Sequence, residues 1–373
     1  MLLSSAFTPV LGPDPSQRPI GRLIDMLGIV STVMGIATSL GLNGLQLSGG
    51  LNYLFGTPNN NLFAVFIVVS VTTMFLISAT TGVEKGVARL ADLGVLATIA
   101  LFLFWLFLGG ATVMVLSLSI ETIGNYVIQV FPMSLMTGFG DEPWMASWTI
   151  FYWAWWYSWG PFVGMFVARI SRGRTIREFM LGVIAAPTGF GFLWFAAVGA
   201  TSISIQDSGR ADLLGAVAES PQSALFEALD VMPVPIITSV LCVLLMVLFF
   251  VSGADAASIT MATMASRGTL LPPKIVTLVM GALMGGIASA MLLAGGLTGL
   301  QQAAVLGSGP FIVISIALMW YWVKALRQEG APPGPGLPEQ LDAAGKLVST
   351  APPAAAAASD DLASERPSRL EGA

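Results

Sequence analysis

The chain of 373 residues contains no histidine and a single cysteine, Cys242. Without histidine, the chain cannot build a histidine-based acid–base site, and it lacks the commonest metal-ligating side chain. One cysteine cannot form an intrachain disulfide, and Cys242 lies in an apolar run where a packing role is expected. The sequence has no Cys/His cluster and no phosphate-cradling loop. We therefore expect no enzyme, no metal site, no cofactor and no nucleic-acid partner.

Charge is also scarce, because charged residues make up 10% of the chain and hydrophobic residues 55%. A soluble globular chain is usually about 25% charged. Apolar runs of roughly 20 residues, the length that spans a bilayer as a helix, recur along the sequence. This pattern predicts an all-α polytopic membrane protein with about eight transmembrane helices, at residues 24–46, 61–82, 92–118, 148–168, 178–203, 235–264, 275–295 and 304–325.

The segments outside these spans are more polar. Residues 1–23 lack a basic region ahead of their apolar patch, so they are a poor signal peptide and are expected to be a cytoplasmic segment. An interfacial helix is predicted at about 120–134 and an amphipathic helix near 211–229. The transmembrane domain is predicted over 24–327. Residues 328–373, rich in proline and alanine, are expected to be a disordered cytoplasmic tail.

Basic residues collect in alternate loops of an eight-span chain. One side holds twelve of them: Arg18, Arg22, Lys85, Arg89, Arg169, Arg172, Arg174, Arg177, Arg267, Lys274, Lys324 and Arg327. The other side holds Arg210 with eight acids: Glu121, Asp141, Glu142, Asp207, Asp212, Glu219, Glu227 and Asp230. This asymmetry predicts that both termini lie in the cytoplasm. The four arginines at 169–177 serve this topology or, alternatively, also contact anionic lipid.

The segment SWTIFYWAWWYSWGPFVGMFVARISRGRTIREF holds five of the ten tryptophans. On a helix with 100° per residue, an arc of roughly 80° gathers five aromatic side chains, with Trp156 beside it: Trp148, Tyr152, Trp155, Trp159 and Phe162. Helical rise places the last three about 10–21 Å from Trp148 along the axis. These rings are therefore expected in the middle of the hydrocarbon.

Two interpretations of the aromatic segment stay open. Rings near its outer end suit an interfacial belt and helix packing. An indole N–H at mid-depth instead needs a partner or a hydrated cavity. Several π-faces would hold a quaternary ammonium, which donates no hydrogen bond, at about 0.5–2 kcal/mol for each desolvated face. Gly160 and Pro161 predict a bend beside these rings.

The aromatic segment resembles the signature of the betaine/carnitine/choline transporter family. Other stretches resemble further parts of that family: STVMGIATSLGLNGLQLSGGLNYLFG its fifth helix, ISATTGVEKGVARLADLG the loop after its sixth, IGNY its periplasmic helix and FFVSGADAAS its tenth helix. The likeness extends over about residues 3–327. It implies a partial leucine-transporter-like core of inverted repeats in the bacterial inner membrane. A homotrimer is also implied, since family members are often trimers.

The resemblance also implies a set of binding residues. By residue-wise match, Trp155, Trp156 and Trp159 form a tryptophan box, Phe162 faces the ligand or its path, and Tyr152 lies beside them. The family has twelve transmembrane helices, and this chain matches from just before the fifth. We therefore expect the first four to be lacking, including a second aromatic-bearing helix that completes the site.

The ion site implied by the resemblance departs from the family pattern. Its tenth-helix ligands correspond here to Phe249, Ser252 and Gly253, and a second position corresponds to Thr32 and Ile36. Gly253 offers no side-chain oxygen, and Ile36 stands where a threonine is expected. The coupling ion is therefore Na⁺ or H⁺, with substrate exchange as a further alternative.

Asp255 is the carboxylate that we single out inside a span, and an intramembrane acid is a functional candidate. It is either a gating residue or a hydrated group near Arg267, bonded to Ser252 or Ser258. The function expected for the whole is secondary active transport of a quaternary-ammonium solute such as glycine betaine, choline or carnitine. The alternative is an inactive, truncated membrane subunit or scaffold.

Overall fold

A computed structural model describes residues 2–12, 14–81, 84–136, 142–171, 173–269 and 271–329. These residues contain no strand, and their long helices are α1 Pro19–Phe55, α2 Asn61–Thr81, α3 Glu84–Leu108, α4 Thr112–Leu135, α5 Phe151–Ile170, α6 Ile176–Asp207, α7 Pro235–Ala265 and α8 Lys274–Glu329. Shorter helical segments are Leu3–Phe7, Thr8–Leu11, Pro15–Gln17, Glu142–Met145, the π-helical Ala146–Ile150, Leu213–Glu219 and Ala224–Asp230. Nearly all of the predicted tail, residues 330–373, lies outside the described residues.

Among the described residues, six helices are long and apolar enough to cross a membrane: Pro19–Phe55, Asn61–Ser78, Thr112–Leu135, Ile176–Asp207, Pro235–Ala265 and Lys274–Arg327. The apolar part of α3, Asp92–Leu108, is shorter. Helix α5 is absent from this group because tryptophan and tyrosine, with their polar N–H and O–H groups, contribute little hydropathy. The chain is thus an all-α polytopic membrane protein, as its composition predicts.

Helix α8 reverses direction at Gly296, whose backbone is non-helical at φ 56° and ψ −133°. Before this point α8 runs antiparallel to α2, and after it antiparallel to α1. The glycine contacts that show this are Gly281 with Phe75, Gly285 with Thr72, Gly41 with Leu300 and Gly307 with Met34. Since α1 and α2 form a hairpin themselves, the two halves of α8 run in opposite directions. They correspond to the predicted spans 275–295 and 304–325.

The structure differs from the single span predicted over 92–118. Helix α3 ends at Leu108, and Gly110 adopts a φ of 82° that favours glycine. Helix α4 then starts at Thr112 and continues to Leu135 as one helix. It therefore includes both the end of the predicted span and the predicted interfacial helix at 120–134. Two adjacent glycines break a run that hydropathy alone treats as continuous.

Two apolar cores organise residues 1–319, which form one compact unit. The first core joins α1, α2, Phe162 of α5, the C-terminal half of α7 and part of α8. The second core joins α3, the start of α4, α6, the short helices after α6 and the N-terminal half of α7. A second unit begins at Trp320, where Lys324 Nζ lies 5.5 Å from the Trp320 ring centroid.

The two ends of the α1–α5–α7 group differ in charge. The start of α1 meets the C-terminal parts of α5 and α7, since Gly28 packs against Pro161 and Met264. We call this the basic end, because it carries Arg18, Arg22, Arg169 and Arg267. At the acidic end, Tyr53 of α1 donates a hydrogen bond to Asp230, and Phe226 packs against Gly50. The charge asymmetry seen in the sequence thus follows the axis of the helix bundle.

Candidate ligand-binding site

The candidate site lies along the seam between α1 and α5. Glycines of α1 provide the close approach: a Cβ atom on Gly35 would lie 2.8 Å from Ser158 Cβ and 3.2 Å from Trp159 Cδ1. One on Gly28 would lie 3.7 Å from Pro161 Cβ. Small residues at such interfaces let helix backbones pack closely within a bilayer. The glycine-lined face of α1 therefore determines how closely the aromatic rings of α5 approach it.

Trp155 is held in one orientation by contacts on three sides. Its Nε1 donates a 3.0 Å hydrogen bond to Ser39 Oγ, and this hydroxyl donates a 3.0 Å bond to the Gly35 carbonyl. The Phe151 ring stacks on it at 5.6 Å and 8°, and the Tyr152 ring meets it edge-on at 5.6 Å. The mid-depth indole N–H thus has a partner, which the sequence pattern required but did not name.

Trp159, one turn further, is held differently. Its ring packs against the first core and meets Phe162 edge-on at 5.8 Å and 64°. Its buried Nε1 has no hydrogen-bond partner among the described residues. Phe162 itself is 8% exposed and belongs to the first core. The seam therefore contains one buried indole N–H that donates to no acceptor among the described residues.

The other predicted aromatic residues are more exposed than these three. Tyr152 is 43% exposed at its rim, stacked on Trp148 at 6.1 Å. Trp156 is 74% exposed, about 100° around the helix from Trp155. The structure therefore brings Trp155, Trp159 and Phe162 together, with Tyr152 at the edge, and does not bring Trp156 to them.

The residues matched to the ion site fall at two separate places. On α7, the Ser252 hydroxyl donates to the Phe249 carbonyl at 3.4 Å, and a Cβ on Gly253 would have nothing within 4 Å. On α1, Thr32 is fully buried and its hydroxyl lacks a partner among the described residues. The antiparallel register of these helices sets Ser252 near the level of Gly41, roughly 13 Å along the axis from Thr32.

Ile36 lies in the first core, 2% exposed, where the resemblance implies a threonine. Its hydrocarbon side chain offers the neighbouring Thr32 hydroxyl no second oxygen one turn away. The second ion position therefore offers one buried hydroxyl, that of Thr32, next to the hydrocarbon side chain of Ile36.

Helices α1 and α7 each contain one carboxylate, Asp25 and Asp255 respectively. Asp255 is half-buried in α7, where its backbone carbonyl accepts a 2.8 Å bond from Ser258 Oγ. The helix end at Ala265 is roughly 15 Å further along, so Asp255 lies well inside α7. Sequence reasoning missed the second carboxylate, Asp25, although it falls inside the predicted span 24–46. Asp25 is buried and accepts hydrogen bonds from Ser4.

Comparison with known proteins identifies the family of the chain. The family model described as "BCCT, betaine/carnitine/choline family transporter" matches residues 1–331. The glycine betaine transporter OpuD of Bacillus subtilis is 39% identical over 331 residues, which is 88% of this chain and 64% of that protein. The ectoine/hydroxyectoine transporter of Virgibacillus pantothenticus is 36% identical over 326 residues, 87% of this chain and 64% of that protein.

A third relative is the glycine betaine/proline/choline transporter of Vibrio parahaemolyticus, 37% identical over 331 residues, which is 88% of this chain and 59% of that protein. The chain thus spans roughly three fifths of the length of these three relatives. Because the family model covers most of the chain and the identities exceed one third, the chain belongs to the betaine/carnitine/choline transporter family.

Proposed function

We propose that the chain acts in secondary active transport of a quaternary-ammonium compatible solute such as glycine betaine, choline or carnitine. The observation that supports this most directly is the half-buried aromatic group on α5. Trp155 is fixed against Ser39, and Trp159 packs edge-on against Phe162. Fixed rings with their π-faces along one helix suit a cation that cannot donate hydrogen bonds.

The free N–H of Trp159 refines this proposal. A solute with a trimethylammonium head and an oxygen-bearing end needs π-faces at one end and a hydrogen-bond donor at the other. Trp159 Nε1 is a buried donor without a partner among the described residues, on a residue one helical turn after Trp155. Betaine and carnitine carry a carboxylate and choline a hydroxyl, and either group accepts such a bond. Trp156, which is exposed, contributes least of the three tryptophans.

We also propose how the site opens to the two sides of the membrane, which ion drives transport and how the chain assembles. Rocking of one repeat of helices against the other would open the site to alternate sides. Coupling to Na⁺ would use the buried Thr32 hydroxyl or the Phe249–Ser252 position, and coupling to H⁺ would use Asp255, the candidate gating residue. We propose assembly as a homotrimer in the bacterial inner membrane, with the basic end and both termini on the cytoplasmic side.

Uptake and binding of radiolabelled betaine test the proposal in cells that lack betaine uptake and in the purified chain reconstituted in lipid nanodiscs. Replacing Trp159 or Trp155 by leucine removes one face and is expected to weaken binding about 2- to 30-fold. Trp153→Leu on the same helix is the matched control and should leave binding unchanged, because Trp153 is 49% exposed. Unchanged binding in both Trp155→Leu and Trp159→Leu would contradict the aromatic site.

The alternative function is a membrane subunit or scaffold that does not transport. The observation that favours it is the exposure of Trp156 and Tyr152, which leaves one side of the aromatic group partly uncovered in the part of the chain that the structure describes. A stable, monodisperse chain that binds no betaine and supports no uptake would decide for this alternative.

A further inference from the structure

The segment before α1 folds back against the basic end. We call its described residues, 2–12 and 14–17, the N-terminal strap. Phe7 and Pro15 are buried, although they precede the membrane helices. A Cβ atom on Gly21 would collide with the Pro15 carbonyl oxygen, so the strap backbone lies directly on α1. A loosely attached leader would not need a residue without a side chain at this point.

The strap is fastened to α1 by one buried carboxylate. Asp25 Oδ1 accepts a 2.8 Å bond from the Ser4 backbone N–H, and Oδ2 accepts a 2.7 Å bond from Ser4 Oγ. Both residues are buried. Hydrogen bonds to an ionised acceptor are about twice as strong as neutral ones. Asp25, which is not part of the aromatic site, therefore joins the strap to α1 at the basic end.

The same strap reaches the point where three helices meet. A Cβ atom on Gly28 of α1 would lie 2.9 Å from Leu3 Cδ2 of the strap, 3.2 Å from Met264 Cε of α7 and 3.7 Å from Pro161 Cβ of α5. Leu3 is thus inserted beside the contact that joins α1, α5 and α7. Leu3 therefore contacts the side of α1 that faces α5 and α7 at the basic end.

We propose that the N-terminal strap is a latch that holds the basic ends of α1, α5 and α7 together, with the Ser4–Asp25 pair as its fastening. The inference rests on the proposed transport function in one respect: the latch would open during the conformational change of a transport cycle. In the latched state the seam is closed at the basic end. Release of Ser4 from Asp25 withdraws Leu3 and lets water reach the buried face of α1.

Thiol labelling in the full chain tests the latch without any substrate. Ser31, fully buried one turn beyond Gly28, is replaced by cysteine in a Cys242→Ser background, and N-ethylmaleimide labelling is timed in nanodiscs. Ser4→Ala removes one hydrogen bond to a charged acceptor and is expected to speed labelling of Cys at position 31 roughly tenfold. Asp25→Asn, which weakens both bonds, should speed it at least as much.

Two variants control the experiment. Thr8→Ala removes a hydroxyl of the strap that bonds only the Ser5 carbonyl, so labelling should stay slow. Ser4→Thr keeps a hydroxyl and should also restore slow labelling. Equal labelling rates in Ser4→Ala and Thr8→Ala would overturn the latch, whatever the chain transports. Faster labelling in Ser4→Ala without betaine binding or uptake would instead retain the latch and reject the proposed function.

Discussion

Helices α1 and α6 are both rich in glycine, but the glycines have opposite surroundings. In α1, a Cβ atom on Gly28, Gly35, Gly41 or Gly44 would meet another helix or the strap within 3 Å. In α6, a Cβ atom on Gly182, Gly189, Gly191 or Gly199 would meet nothing within 4 Å. The same residue type therefore marks a close-packed seam in one helix and an open surface in the other. Glycine content alone does not locate a helix interface.

The largest effect is expected when a side chain is added at Gly35, which tests the difference between the packed glycines of α1 and the uncovered glycines of α6. Gly35→Val would place methyl groups against Ser158 and Trp159, and overpacking of this kind costs about 1–3 kcal/mol. We expect the Tm of the detergent-purified chain to fall by roughly 2–10 °C, read from intrinsic fluorescence on heating. Gly191→Val on the open side of α6 is the matched control, with a change within about 0.5 kcal/mol. Equal losses at the two sites would remove the distinction between seam and surface.

A smaller effect is expected when the polar contact of the seam is removed. Ser39→Ala leaves the half-buried Trp155 N–H without its acceptor, at a cost of about 1 kcal/mol in the free energy of unfolding. Ser70→Ala on α2 removes an exposed hydroxyl that bonds only the Phe66 carbonyl, so the Tm should not change. If the seam orients Trp155 for a ligand, Ser39→Ala will also weaken betaine binding while Ser70→Ala will not. Loss of stability with unchanged binding would limit Ser39 to a structural role.

The smallest loss of stability is expected when an interhelical hydrogen bond between α1 and α8 is removed. Thr38 Oγ1 donates within its own helix to the Met34 carbonyl at 2.8 Å and also approaches the Leu300 carbonyl at 3.2 Å. Thr38→Val should cost about 0.6 kcal/mol, the average for interhelical hydrogen bonds in membranes. Thr98→Val on α3 removes a bond that stays within one helix and should cost less. A larger loss at Thr98 in the same thermal assay would contradict the assignment of α1 as the packed helix.

The sequence predicted those features that depend on residues close together in the chain. Apolar runs indicated the helices, and the 100° periodicity placed Trp155, Trp159 and Phe162 on one face of α5. The break at Gly110 was missed because glycine is tolerated inside membrane helices. The exposure of Trp156 was missed because periodicity sets the angle between two side chains but not which neighbours cover them.

Contacts between distant residues could not be predicted. Ser39 and Trp155 are 116 positions apart, and their hydrogen bond depends on the register of α1 against α5. Asp25 lay within a predicted span, yet its partner Ser4 belongs to the segment 1–23, which was predicted to be a cytoplasmic segment outside the spans. In both cases the missing information was which part of the chain folds back onto α1.

Helix α7 contributes side chains to both apolar cores, so that a movement of this helix would affect both. It contributes Cys242 and Leu245 to the second core and Phe250, Ala254 and Ala257 to the first. Close-packed interiors transmit strain instead of absorbing it. A tilt of this 31-residue helix about the stretch between Leu245 and Phe250 would swing its two ends in opposite senses. A displacement that begins beside Met264 would therefore be converted into an opposite displacement beside Pro235, at the far side of the bilayer.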